Sequence, residues 1–458
     1  MKRRNVGKKL RYGCVTLWGL SALLALCLPA QPARAEEVVS DKTNTTAIYV
    51  GNKTKTASGN TLTINNSVAG GAVAGSTIPE EMLSAGTAIT SSDAETIETG
   101  TTGTVTGNTL TLNNTKEGSS PLVSNWLAGG LAMTKTVNQN QVNVNLPNAQ
   151  RVSYPVGITN DVFGGFTVTG DATNNIATLT GVSSLGGDND DHVAQNFYGG
   201  YSYTGTVSDN TVNINGGKFG GTIYGGAQGV LNNQYNLPQS MNDYFSQYAE
   251  GLSFTSTGDV KNNKVFITAG GNQSQFGNNG TVYGGLIEAN LPTAGNTTKF
   301  GNVYDNTVTI SGTGMANKVY GGAFITSSSE NGDALQMGSV TYNHVDILDG
   351  GYGEVVAGGY YAINGTTVAD LENNSVTVDG GTIGDSVYGA YLSVSSGTYT
   401  GTGTVANNSV TLTKGTLSGS TYADAVHVYG GYANGGEGNN VTVKNNTVPI
   451  IMPCKIIP

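Results

Sequence analysis

The sequence predicts an all-β fold, a right-handed parallel β-helix (β-solenoid) of about ten degenerate repeats of 31–37 residues. Three observations predict it. Two short motifs alternate along most of the chain, the mark of a stacked array. The apolar residues inside the first motif have period two and are mostly β-branched. Glycine makes up 68 of 458 residues and charged residues only 11%, against typical shares of roughly 7% and about 25%. No stretch carries an apolar period of 3.6, and the Gly-rich, β-branched composition disfavours long helices.

The chain opens with a segment of a different kind. Lys2, Arg3, Arg4, Lys8, Lys9 and Arg11 precede an apolar run of 15 residues, Cys14 to Leu28, and Ala33-Arg34-Ala35 follows. Small residues at the two positions a signal peptidase reads make 1–35 a secretory signal peptide, cleaved after Ala35. The run is shorter than the roughly 20 residues that span a bilayer, and Pro29 ends it. No later segment is long and apolar enough to cross, so the mature chain is read as having no transmembrane segment. The chain has 21 basic and 31 acidic residues; seven basic ones leave with the signal, so the mature chain has 14 against 31, a net charge of about −17. That balance excludes nucleic acid, which needs a basic footprint. Cys14 and Cys27 leave as well. Cys454 alone remains, so no internal disulfide framework holds the exported chain together.

Residues 36–448 are the repetitive region. The first motif reads Asn-x-apolar-x-apolar and often ends in Gly-Gly. Its copies are GNTLTINN at 59, GNTLTLNN at 107, QNQVNVNL at 139, DNTVNINGG at 209, DNTVTISG at 305, YNHVDILDGG at 342, ENNSVTVDGG at 372, ANNSVTLTKG at 406 and GNNVTVKN at 438. TNNIATLTG at 173 and KNNKVFITAGG at 261 are looser copies. Val212 and Ile214, Val308 and Ile310, and Val376 and Val378 show the alternation of a half-buried strand. The second motif is apolar-aromatic-Gly-Gly: VFGGF at 162, FYGGY at 197, IYGGA at 223, VYGGL at 282, VYGGA at 319 and VYGGY at 428, with VVAGGY at 355 and VYGAY at 387 degenerate. Wider gaps hold polar inserts, such as Asn232 to Gly251. The unit is therefore a strand, a Gly turn, a second strand, a Gly-Gly turn and a variable loop.

Each coil of such a unit leaves strand edges that the next coil pairs, at a rise of roughly 4.8 Å. Valine, isoleucine and leucine in equal positions stack inside. Asparagine in equal positions is expected to form amide ladders at the turns. Gly216-Gly217 and Gly225-Gly226 are expected to turn corners with positive φ, and the repeated Tyr slot to form an aromatic stack. A propeller of kelch-like blades is the competing architecture. It requires a Tyr and a Trp after the glycines and a blade of about 50 residues, whereas Trp126 is the only tryptophan beyond the signal.

The basic signal, the NNSVTVDGG-type strands and the VYGGY slots resemble the β-helical passenger region of autotransporter and adhesin-like proteins of Gram-negative bacteria, over roughly residues 40–448. The resemblance implies export to the cell surface, associated with the outer membrane, or to the medium. It also implies attachment to a host or bacterial surface protein or glycan, or self-association. Such families carry a C-terminal translocating barrel of many alternating strands; here residues 449–458, PIIMPCKIIP, break the repeat instead and read as a truncated or frameshifted tail.

No catalytic, cofactor or metal site is assigned from sequence. Gly384-Asp385-Ser386 has the look of a nucleophile turn, but in register Ser386 falls on Thr222. The only histidines, His192, His344 and His427, give no evident base and orienting acid for it. Asp188, Asp190 and Asp191 before His192 have the hard oxygen ligands calcium takes, yet one short cluster seldom supplies six to eight of them. A β-helical polysaccharide lyase or hydrolase is the enzymatic alternative. Arg151 is the mature chain's one arginine, and no carboxylate pair is visible at the spacing glycosidases use. The insert QYNLPQSMNDYFSQYAEG, 234–251, is the preferred binding loop, since function concentrates in loops on a rigid scaffold.

Overall fold

The computed structural model describes residues 36–40, 47–49, 57–65, 71–76, 104–113, 122–123, 127–146, 157–158, 161–181, 196–218, 221–229, 257–271, 280–289, 299–326, 337–363, 370–394, 402–418, 426–434, 440–451 and 454–457. All belong to one compact unit, Ala35–Pro458. Among them there is no helix, and every pairing between strands is parallel. The fold is a parallel β-helix.

One coil shows why the sequence winds this way. It starts with a two-residue strand, Val207–Ser208. Asp209 follows in the left-handed region at φ 59, a conformation that Asn and Asp tolerate better than most residues. Asn210 comes next, fully buried, and opens the strand Thr211–Lys218, with Val212 and Ile214 inward. Gly216 and Gly217, at φ 118 and 90, turn the corner as expected. The aromatic-motif strand Ile223–Gly229 forms the third wall.

The short strand is a wall that the two-motif reading lacks. Ten such strands make a sheet of their own, while the other two walls merge into a sheet of 22 strands. Its signature is apolar-x-x-Asn, as in VSDN at 207, VKNN at 260 and VANN at 405. This wall also corrects one motif copy. Asn440–Lys444 pairs with Thr402–Ala406 in the short-strand sheet, so Val441 sits opposite Gly403 and does not continue the column of Val410. The ladder residue of that coil is Asn446. After the pattern breaks, Cys454–Ile457 still pairs in parallel with Ser409–Ser418.

Eleven asparagines, Asn60, Asn108, Asn140, Asn175, Asn210, Asn263, Asn306, Asn343, Asn374, Asn408 and Asn446, form the expected ladder. Each Nδ2 donates to the Oδ1 of the next at 2.8–3.1 Å, and each backbone N–H donates to the same oxygen. The rungs lie 31–53 residues apart, a wider range than the 31–37 of the best-matched repeats. Most rungs also reach back to the carbonyl of the short-strand apolar residue in the preceding coil, such as Asn263 Nδ2 to Val207 O at 3.0 Å.

The ladder divides two apolar columns. One holds Val212, Ile214 and Ile223 with their equivalents. The other holds Val207, Val260 and Val303 of the short strands with Ile287, Phe324, Tyr361 and Leu392. Gly225 and Gly226 close the waist between them, which corrects their assignment as corner residues. Both lie inside a strand, and neither has a positive φ. A Cβ on Gly226 would lie 2.5 Å from Asn263 Cγ, and one on Gly225 would lie 2.4 Å from the Gly284 carbonyl. Close approach, rather than a turn, demands glycine here.

Candidate functional site

The outer face of the aromatic wall gathers most of the described aromatic side chains. The residue after the inward valine, isoleucine or phenylalanine fills one rank: Phe163, Tyr198, Tyr224, Tyr283 and Tyr320 stack at ring-centroid distances of 4.5–5.6 Å. The residue after Gly-Gly fills a second rank with Phe166, Tyr201, Tyr360, Tyr391 and Tyr432. Where Ala357 interrupts the first rank, Tyr320 stacks on Tyr360 of the second at 4.4 Å. The degenerate copy VVAGGY therefore keeps the column by moving it across the glycine pair. The expected Tyr stack exists, as two ranks in place of one.

Exposure changes along this face. Phe163, Phe166, Tyr198 and Tyr201 are 1–6% exposed. Tyr360, Tyr388, Tyr391, Tyr429 and Tyr432 are half-buried. Ring faces in this second group are spent on one another, with Tyr388–Tyr429 at 5.4 Å and Tyr429–Tyr432 at 4.9 Å. What they offer outward is ring edges and phenol hydroxyls.

Two carboxyls flank the buried part. Asp161 is 1% exposed; burial pushes its pKa up to about 8 despite the bond from Asn196 Nδ2 at 2.8 Å. Burial also raises Glu288, and its charge helps push up Tyr201, Tyr224 and Tyr283. Tyr201 donates its hydroxyl to the Gly229 carbonyl. Asp161 and Glu288 stand on strands three pairings apart, roughly 14 Å along the stack at about 4.8 Å per strand. That exceeds the roughly 5–9.5 Å between the two carboxyls of a glycosidase.

Ser386 takes the slot that the sequence alignment gives it, linked through Val355, Lys318 and Thr281 to the column of Thr222. It is 4% exposed, and its hydroxyl bonds Tyr388. His427 is its register partner on the next coil, a proximity the sequence reading missed because 41 residues separate them. His344 lies on the outer face of the Asn-motif wall, with Nδ1 2.7 Å from Ser375 Oγ and Nε2 2.7 Å from Asp346 Oδ1. Arg151, Asp188, Asp190, Asp191, His192 and the insert 234–251 lie outside the described residues. Among the described residues no group of three or more His, Cys, Asp and Glu is placed to hold a metal, and no helix is long and apolar enough to cross a membrane.

Comparison with known proteins yields no relative: no family model, no curated protein and no solved structure matches the chain.

Proposed function

We propose that the chain is an exported, cell-surface or secreted β-solenoid with an adhesin-like role, binding a surface protein or glycan or another copy of itself. The observation that carries this reading is the cluster of half-exposed tyrosines, Tyr388, Tyr391, Tyr429 and Tyr432, on neighbouring coils of the tyrosine ranks. Tyrosine is enriched at protein interfaces because one end is apolar and the other bonds hydrogen. The export half of the proposal is supported by the basic, apolar leader and by the start of the compact unit at Ala35.

The test is binding of the mature chain to cells, matrix and itself. Deletion of 234–251, and separately the double change Tyr388→Phe with Tyr429→Phe, are each expected to weaken binding. Binding untouched by both would remove both surfaces from consideration. The competing reading, a polysaccharide lyase or hydrolase, predicts cleavage of a polysaccharide panel that Arg151→Ala or loss of Asp188 to Asp191 abolishes; we expect no cleavage.

A further inference from the structure

Ser375, His344 and Asp346 form a hydrogen-bonded chain that the repeat does not require. The slot of His344 holds Thr307 on the preceding coil and Ser375 on the next, and Ser375 in turn faces Ser409. The slot of Asp346 holds Thr309 and Thr377 on either side. Among the described residues of this wall, only this coil combines an outward imidazole and carboxylate beside a hydroxyl. The polarity of the chain follows from its acid end. An ionised Asp346 carboxylate can only accept, so the 2.7 Å contact puts the imidazole proton on Nε2. That leaves the Nδ1 lone pair facing Ser375 Oγ at 2.7 Å, and the serine O–H donates to it. The imidazole and the carboxylate are 31% and 27% exposed, so reagents reach the group from solvent.

We propose that Ser375 is an activated nucleophile that takes acyl groups from activated esters. Its Oγ attacks the carbonyl carbon, and its proton passes to His344 Nδ1. Asp346, a positioning residue, holds the resulting imidazolium through Nε2. The Oγ–C bond forms, the C–O bond to the leaving alkoxide or phenoxide breaks, and that oxygen carries away the proton from Nδ1. The arrangement departs from the familiar protease triad in using Nδ1 toward serine, and roles rather than atom labels define such a group. The backbone offers no oxyanion hole, since Ser375 N–H donates to Asn343 O at 2.9 Å and Ser409 N–H to Asn374 O at 3.0 Å. Each such missing donor costs about 10²–10³ in rate, which confines the chemistry to good leaving groups. This activity is separate from the binding role.

The repeat supplies its own control. Ser409 occupies the same slot one coil on, without the histidine and carboxylate. A fluorophosphonate probe, in which Oγ–P forms and fluoride leaves, is applied to the full chain and the labelled serines are mapped by peptide mass. General-base assistance is worth about 10²–10⁴, so Ser375 is expected to label at least about 100-fold faster than Ser409. His344→Thr and Asp346→Thr place the neighbouring coils' residues in those slots, preserving the fold. They are expected to bring Ser375 to the Ser409 rate while leaving Ser409 unchanged. Equal labelling of the two serines in the natural chain, or Ser375 labelling indifferent to His344→Thr, overturns the proposal.

Discussion

Two neighbouring asparagines, Asn262 and Asn263, test the claim that the amide ladder holds the coils together. Asn263 is fully buried. Its side chain donates to Asn306 Oδ1 at 2.9 Å and to Val207 O at 3.0 Å, and accepts from the Asn210 N–H at 3.1 Å and from Asn210 Nδ2 at 2.9 Å. Asn263→Ala removes all four bonds. Asn210 Nδ2 keeps Ala172 O, and Asn306 Oδ1 keeps the backbone N–H of residue 263. The Asn210 N–H and the Val207 carbonyl lose their ladder partners while buried, at about 1–3 kcal/mol each, or about 2–6 kcal/mol in all. A water drawn into the vacated polar space would hold the loss near the lower figure. Asn262 is exposed at φ 55, and glycine fills the same slot at Gly107 with φ 66. Asn262→Gly is therefore expected to stay within about 0.5 kcal/mol. Urea unfolding followed by circular dichroism measures both. Coils contact mainly their neighbours, so amide exchange should quicken first in Val207–Ser208, Thr211–Lys218 and Lys264–Gly271. A loss below about 0.5 kcal/mol for Asn263→Ala would show that the ladder fills space without holding the stack.

The waist glycines predict an ordering. Gly225→Ala drives a Cβ to 2.4 Å from a backbone carbonyl, and Gly226→Ala drives one to 2.5 Å from a side-chain amide; Ala390 already fills the second slot, opposite Gly359. Gly226→Ala is expected to cost about 1–3 kcal/mol and Gly225→Ala more; the reverse order in thermal melts would refute the account of the waist. Asp161 predicts a pH dependence. With its pKa raised from 3.8 to about 8, the folded state keeps a proton that the unfolded chain has released, so this group's contribution to stability falls as pH rises from about 4 to about 8. Asp161→Asn is expected to remove that slope and to melt higher than the natural protein at pH 8; parallel melting-temperature profiles would contradict the burial argument.

Much of the fold was legible because a repeat prints its physics many times. Val212 and Ile214 show period two, and nine further copies in register turn a weak local signal into a column. The short strand escaped notice for the opposite reason. Two residues, such as Val207–Ser208, are too few for any periodicity to register, and only the fixed offset from valine to the ladder asparagine betrays them. The same blindness misplaced Val441, whose local pattern suits either wall. Gly225 and Gly226 misled because glycine answers two different needs, positive φ and close approach, and sequence alone does not separate them. The Ser375–His344–Asp346 chain was invisible because its members lie in slots that elsewhere carry threonine and serine, and only the pairing of His344 with Ser375 joins residues 31 apart.

These cases share one cause. In a β-helix, chemistry is assembled across coils, at a separation set by the pairing register rather than by distance along the chain. Inward slots are fixed by stacking: an asparagine must meet an asparagine, and the waist admits little beyond glycine. Outward slots carry no such demand, so they can differ from coil to coil at little cost to stability. A departure from the repeat at an outward slot is then the place where function can enter. The pairs Tyr388–Tyr391 and Tyr429–Tyr432 differ from Tyr198–Tyr201 in exposure alone, whereas His344 beside Ser375 is a departure of that kind. Gly384-Asp385-Ser386 is not, because Ser386 is buried in its slot and bonded to Tyr388.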